Sequence, residues 1–234
     1  MSVEGHSGQK TSFSGRSIQV VQVGHALMRL SRPEGDETYL ISLPKLSIDG
    51  LFLGSPYIEL TGASSIRSST GYTATINYSG RGYFSGKAHS FTATINADNT
   101  KELLLEVTGT WSGKSTVKSG SALPQNSTFW DAESIPREEL SVKPLEEQDA
   151  YESRNVWRNV AAGIRSGDYG AASRDKSRIE NEQRQLRKDE AAAGKTHQLK
   201  HFTYVESDPE YAALAPAIKQ MPATGASYRR KDAA

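Results

Sequence analysis

From Ile18 to about Trp130 the apolar positions fall in short runs of β-branched and aromatic residues, each closed by Gly, Pro, Asn or Asp. Segments 38–43, 47–53, 57–61, 72–78, 90–96 and 103–110 read as strands on that pattern. Within 72–78 and 90–96, Ala, Ile and aromatic residues alternate with Thr and Asn, so the two faces of these strands differ. Regular spacing with turn signals predicts an antiparallel meander over residues 17–130 that closes as a barrel or forms a large curved sheet. A wall lined partly by Thr and Ser suggests a hollow barrel, and hollow barrels hold ligands.

Near Glu147 the period changes from two to between three and four. Residues 151–165 place Val156, Val160, Ala161 and Ile164 on one side, an amphipathic helix broken near Gly167. Asp168 is placed to cap a second helix over 169–193 that stops at Gly194. Its apolar stripe is thin, with Ala172, Ile179, Leu186 and Ala193 seven residues apart, so most of its circumference faces water. The two helices over 151–193 are expected to pack on the sheet. After Pro209 the chain is rich in Ala, Pro and Gly without a period, and 209–234 reads as a poorly ordered tail.

Charge sharpens this division. Residues 137–190 hold 23 of the 55 charged residues, 11 basic and 12 acidic, which sets the helical part apart from the charge-poor strands. Over the chain, 28 Lys and Arg against 27 Asp and Glu leave no electrostatic case for a nucleic-acid partner. There is no cysteine, which excludes disulfides, thiolate chemistry and cysteine-ligated metals. No run approaches the roughly 18 apolar residues of a spanning helix. The polar, glycine-rich start gives no signal-peptide pattern, and the cytosol is the expected compartment.

Candidate chemistry is sparse. The segment Ser79-Gly-Arg-Gly-Tyr-Phe-Ser-Gly-Lys87 breaks both the phosphate-loop and the dinucleotide patterns, and its glycines Gly80, Gly82 and Gly86 suit a hairpin turn. His197 and His201, four apart, suit one helical face but lack a third metal ligand nearby. No nucleophile elbow or Ser/His/Asp pattern asks for an enzyme, and no cofactor is called for. Lys176, Glu180 and Arg184 stand at i, i+4 and i+8 on one face of the second helix. That spacing suits a solvated salt-bridge ladder, the commoner arrangement on exposed helices, and also a phosphate clamp in which a carboxylate orients two cations. Spacing alone leaves both readings open.

Several segments resemble, in order, the ligand-binding domain of the oxysterol-binding protein family. They are Gly8-Gln-Lys-Thr-Ser-Phe13, Ser47-Ile-Asp-Gly-Leu-Phe-Leu-Gly-Ser-Pro-Tyr-Ile-Glu-Leu-Thr-Gly62, the 79–87 segment, Gly109-Thr-Trp-Ser-Gly113, Val142-Lys-Pro-Leu-Glu-Glu-Gln148 and Glu180-Asn-Glu-Gln-Arg-Gln-Leu-Arg-Lys188. The resemblance spans most of 5–205 and is strongest to the short fungal members. It implies a mainly β fold with C-terminal α, an antiparallel barrel with a lipid tunnel followed by two packed helices. It also implies a protein that exchanges sterol and phosphatidylinositol 4-phosphate between membranes. Localisation would be cytoplasmic, with transient peripheral contact with endoplasmic reticulum and Golgi membranes. Lys176, Glu180 and Arg184 match the family's headgroup-contacting residues, which favours the clamp over the ladder. Gln22, in the strand before Gly24 and His25, matches a polar position of the sterol tunnel.

The resemblance also has gaps. The family's Glu-Gln-Val-Ser-His-His-Pro-Pro segment, the lid, the first barrel strands and a further headgroup lysine have no counterpart here, and His197 and His201 stand where tryptophans are usual. The expectation is an N-terminally truncated, incomplete barrel with an open strand edge. Its lipid-binding part would cover 1–208, with barrel strands at 16–135 and helices at 147–194. The competing reading is an interaction module that keeps the helices and surface but encloses no lipid. An enzyme acting on a lipid ester is a distant third.

Overall fold

The structure, a computed structural model, describes residues 1–81, 86–98, 100, 102–218, 221 and 225–231. The chain divides into two units, one of residues 1–136 with 201–234 and one of residues 137–200.

The first unit is built on β1 (Ser2–Phe13), β2 (Ile18–Leu30), β3 (Glu37–Ser42), β4 (Lys45–Asp49), β5 (Tyr57–Ser68), β6 (Tyr72–Ser79), β7 (Ser90–Ala97), β8 (Leu103–Thr110), β9 (Lys114–Gly120) and β10 (Thr128–Asp131). All the pairings are antiparallel, and the ten strands form one sheet in the order β1-β2-β3-β5-β6-β7-β8-β9-β10. Among the described residues no ladder joins β1 to β10, so the barrel is incomplete and does not close. β4 also lies between β2 and β5, so β3 and β4 are two halves of one line interrupted at Leu43-Pro44. Proline offers no N–H to a ladder, which is reason enough for the interruption.

Register sorts the side chains. Residues directly opposite project to the same face, and a transverse row runs Gly5, Ala26, Ile41, Ile66, Ala74, Ile95, Leu105 across seven strands. A parallel row runs Ser64, Ile76, Ala93, Val107, Val117, and its last three residues with Leu105 form a buried cluster. The other face carries Thr73, Thr75, Asn77, Thr92 and Thr94. The threonines of β6 and β7 therefore share one face, and the buried cluster of β7–β9 on the other face is Ala, Leu and Val.

Three sequence expectations change. Residues 47–53 are not one strand: β4 stops at Asp49, and Gly50 (φ 74°) and Gly54 (φ 70°) bracket a 3-10 turn over Leu51–Leu53. A Cβ on Gly50 would sit 2.3 Å from the Ser55 carbonyl oxygen, so only glycine fits. The strand of 57–61 continues to Ser68, because Gly62 (φ 73°) bends it from β4 towards β3 without ending it. β1 was not anticipated; its two faces are both largely polar, and its register comes from twelve pairings with β2.

The segment read as a poorly ordered tail contains elements too. β11 (Phe202–Val205) and β12 (Ser227–Arg230) form an antiparallel pair, and α4 runs Pro209–Leu214. (α1 to α3 belong to the second unit.) Asp208 caps α4, accepting from the N–H groups of Glu210 (3.0 Å) and Tyr211 (3.4 Å), with Pro209 in the first turn. Tyr211, Leu214 and Ile218 pack on Leu27 and Leu40, covering an apolar patch on the otherwise polar face. Arg29 joins Glu4 and Glu210, while Arg229 donates to the buried Asp208.

The second unit holds α1 (Ser153–Val156), α2 (Arg158–Ser166) and α3 (Tyr169–Ala192). α2 ends at Gly167 (φ 76°), and α3 is followed by Gly194 (φ 62°), as the glycines indicated. α2 meets α3 at Gly163, where a Cβ would lie 2.9 Å from the Ala172 nitrogen. Ile164, expected on a packed face, is exposed; backbone approach at Gly163 replaces the aliphatic contact.

Acid should weaken the docking of the C-terminal segment in two windows. His25 is buried, neither of its ring nitrogens has a hydrogen-bond partner, and its ring lies 4.5 Å from that of Tyr211. Burial, then the neighbouring His6, lowers its pKa, against a smaller pull from Asp208. A lowered imidazole contributes stability above its unfolded value of about 6.5 and loses it as pH falls below that. Burial pushes the Asp208 carboxyl up, but Arg229 and two backbone N–H groups outweigh it and hold the pKa below the usual value. Glu210 is held low by Arg29. These depressed carboxylates lose their contribution below about pH 4. Melting temperature should therefore fall in two steps on acidification. His25→Phe should remove the first step and keep the second; an unchanged first step would exclude His25 as its source.

Candidate functional site

α3 presents the charged stripe through local signals. The Asp168 carboxylate accepts from the Ala171 N–H at 2.8 Å and fixes where the helix starts. Ala172 and Ile179 are buried on one side. At 100° per residue, Lys176, Glu180 and Arg184 follow at about 40°, 80° and 120° from Ala172, beside that seam and open to solvent. Lys176 Nζ donates to Glu180 Oε1 at 2.5 Å, and Arg184 Nη2 lies 3.5 Å from Glu180 Oε2. Arg184 also donates to the Asn181 side-chain oxygen at 2.9 Å. The Lys176 hydrogen bond, followed by its charge, lowers the Glu180 pKa, so this carboxylate stays ionised at neutral pH.

A neighbouring ladder provides the contrast. Arg178 lies between Asp175 (3.5 Å) and Glu182 (2.9 Å), one cation between two carboxylates. Lys176–Glu180–Arg184 has the opposite stoichiometry, two cations to one carboxylate. The first cluster is over-neutralised, whereas the second retains positive charge and N–H donors that can meet an anion.

Gln22 belongs to the sheet unit. The β1–β2 register places it opposite Gln9 and on the same face as Ala26 four residues on, so it puts an amide among the apolar rows. Its Nε2 donates to the Pro44 carbonyl at 2.8 Å, in the gap between β3 and β4, and its Oε1 accepts from Ser7 at 3.4 Å. The amide thereby supplies a donor where the ladder is interrupted.

The remaining sequence candidates lie elsewhere. Of the 79–87 segment, Gly82–Ser85 lies outside the described residues; Gly80 and the N–H groups of Arg81 and His89 close over buried Glu59, which accepts at 3.3 and 2.9 Å. His197 and His201 follow α3 in non-helical backbone, so the shared helical face does not form. The C-terminal lock of Asp208, Glu210, Arg229 and Arg29 was missed. Its signal was present: a capping Asp, a Pro at the first helical position, then Tyr211, Leu214 and Ile218 three and four apart.

A curved, unclosed antiparallel sheet followed by helices, with an apolar face and a cationic helix stripe, is the architecture of an oxysterol-binding-protein-related domain. The profile described as Oxysterol-binding protein matches residues 1–220, and the chain belongs to that family. It is 55% identical over 234 residues to Protein KES1 of Mycosarcoma maydis, covering 99% of this chain and 60% of that protein. It is 40% identical to Protein kes1 of Schizosaccharomyces pombe, covering 93% and 56%. The chain thus spans little more than half the length of these relatives. The Osh1 ORD domain crystallised with cholesterol superposes with a TM-score of 0.75 at 18% identity, over 98% of this chain and 58% of that one. The Osh3 ORD of Saccharomyces cerevisiae in complex with PI(4)P superposes with a TM-score of 0.63 at 19% identity, over 86% and 55%. At these identities the superpositions speak to fold. Among the described residues no helix is long and apolar enough to cross a membrane.

Stability measurements separate the cap from the stripe. Asp168→Ala should cost about 1 kcal/mol in chemical denaturation. Lys176→Ala, Glu180→Ala and Arg184→Ala should each leave stability nearly unchanged, as expected of exposed ion pairs. A loss at any of the three as large as that of the cap would mark the stripe as structural.

Proposed function

We propose that this chain binds lipid, taking a sterol on the apolar face of the sheet and the phosphorylated headgroup of phosphatidylinositol 4-phosphate at Lys176, Glu180 and Arg184. One observation carries the headgroup assignment: this stripe holds two cations to one carboxylate beside a ladder of the opposite balance. A phosphate monoester carries between one and two negative charges at neutral pH and accepts charge-assisted bonds from both cations. Glu180 orients them and accepts from an inositol hydroxyl.

For the sterol, the rows through Ala26, Ile41, Ile66, Ala74 and Ile95 offer half-buried apolar surface. Covering it stabilises a bound lipid by about 25 cal/mol per Å². Gln22 is a polar contact of this face, and among the described residues its Oε1 accepts one long bond, from Ser7. Relatives of this fold crystallised with cholesterol, ergosterol and PI(4)P support the same two ligands. Exchange of the two lipids between membranes is the activity proposed for the whole protein, without enzymatic chemistry. It would act in the cytoplasm, with transient contact with endoplasmic reticulum and Golgi membranes. The open path from β1 to β10 favours a second reading, an interaction module that encloses no lipid.

Titration of the purified chain with phosphoinositide in micelles and with a fluorescent sterol separates these readings. Arg184→Ala should weaken phosphoinositide binding about tenfold or more, since a charge-assisted bond is worth about 1.5–3 kcal/mol. Arg184→Lys should recover only part, because the two-pronged guanidinium is lost. Sterol binding should be unchanged in both. Gln22→Leu should do the reverse, weakening sterol by about fivefold for one neutral hydrogen bond of about 1 kcal/mol. Absence of binding by either lipid would leave the interaction module standing.

A further inference from the structure

Within the helical unit, residues 142–145 run beside α1 and α2 and leave a groove of about 720 Å³, the size of a small-ligand or peptide-segment site. Arg154, Arg158, Ala161 and Arg165 lie along one helical stripe that forms one wall, and Lys143 stands on the other. No carboxylate lines it. Among the described residues, no ion pair or side-chain hydrogen bond engages Lys143, Arg154, Arg158 or Arg165. Leu145 and Trp157 add apolar surface between the cations, and Trp157 is exposed.

The groove is a fixed feature of the unit. Asn155 Nδ2 donates to the carbonyls of Leu145, Gln148 and Asp149 at 3.4, 2.9 and 3.1 Å, tying the flanking segment to the helix. Gln148 Nε2 bonds the Lys143 carbonyl at 2.7 Å, which braces the segment from within. This is the Val142–Gln148 motif of the sequence, which the lipid reading leaves without a role.

We propose that this groove is a docking site for an extended acidic peptide segment of a partner protein. Four unneutralised cations on two facing walls call for a multiply negative occupant. The spacing selects its shape. Along the helix axis Arg154 and Arg158 are about 6 Å apart and Arg158 and Arg165 about 10 Å. A single phosphate cannot span that row. An extended chain advances about 3.3 Å per residue, so carboxylates two residues apart, on one side of the peptide, match the Arg154–Arg158 interval. An intervening apolar side chain meets Trp157 and Leu145. A bilayer surface is flat and cannot engage both walls at once.

The test uses the full chain and a rhodamine-labelled octapeptide of glutamates with two leucines, with its glutamine counterpart as control, read by fluorescence anisotropy. The glutamate peptide should bind, and the glutamine peptide should bind about tenfold or more weakly. Arg154→Ser combined with Arg158→Ser should weaken the glutamate peptide to the same extent, with an unchanged thermal melt. Arg184→Ala should leave peptide binding intact, which distinguishes this groove from the α3 stripe. Failure of the glutamate peptide to bind, or binding indifferent to the double substitution, overturns the proposal. So does arginine-dependent binding of phosphatidylserine vesicles without peptide binding, which would make the groove a membrane contact.

Discussion

The antiparallel register of β1 to β9 is the constraint on which the sheet unit depends. Ala26, Ile41, Ile66, Ala74, Ile95 and Leu105 meet edge to edge only because each strand pairs with its neighbour in one alignment. A slip of one residue at β6 or β7 would bring threonines into the row and turn the aliphatic side chains to the opposite face. Gly62 and the break at Leu43-Pro44 are the places where the sheet departs from regular pairing. Both let β5 change partners while its apolar residues keep their side.

The face behind that row is largely polar, and the C-terminal segment packs on it at Leu27 and Leu40. The carboxylates and arginines around it are arranged in opposite pairs: buried Asp208 with Arg229, and half-buried Arg29 with Glu4 and Glu210. Removing one partner from such a group costs more than the pair contributes, because the remaining charge is left desolvated. His25 is the exception, a buried imidazole with no hydrogen-bond partner at either ring nitrogen. It makes the docking of this segment sensitive to pH close to neutrality.

Much of this was legible in the residues, and what was not has identifiable causes. Alternation in 72–78 and 90–96 marks β6 and β7, and the glycines after Ser166 and Ala193 mark the helix ends. Alternation does not say which face is covered, so pattern alone could not tell the aliphatic side of these strands from the threonine side as the lining. β1 carries few apolar residues, and its pairing depends on a partner that local pattern cannot supply. The C-terminal segment has an Ala/Pro-rich composition that masks a capped helix of six residues, Pro209–Leu214. On α3, helical spacing placed Lys176, Glu180 and Arg184 together but could not choose between a ladder and a clamp. The charge balance against Arg178 became evident only from the side-chain geometry.

The most direct test of the central claim, that the aliphatic face of the sheet receives the lipid, is to map where a bound sterol touches the chain. A photoactivatable sterol is cross-linked to the folded protein and the modified residues are identified by mass spectrometry. Adducts should fall along the row of Ala26, Ile41, Ile66, Ala74 and Ile95 and near Gln22, and should be displaced by unlabelled sterol. Competable adducts on Thr73, Thr75 and Thr94, on the opposite face of the same strands, would contradict the account.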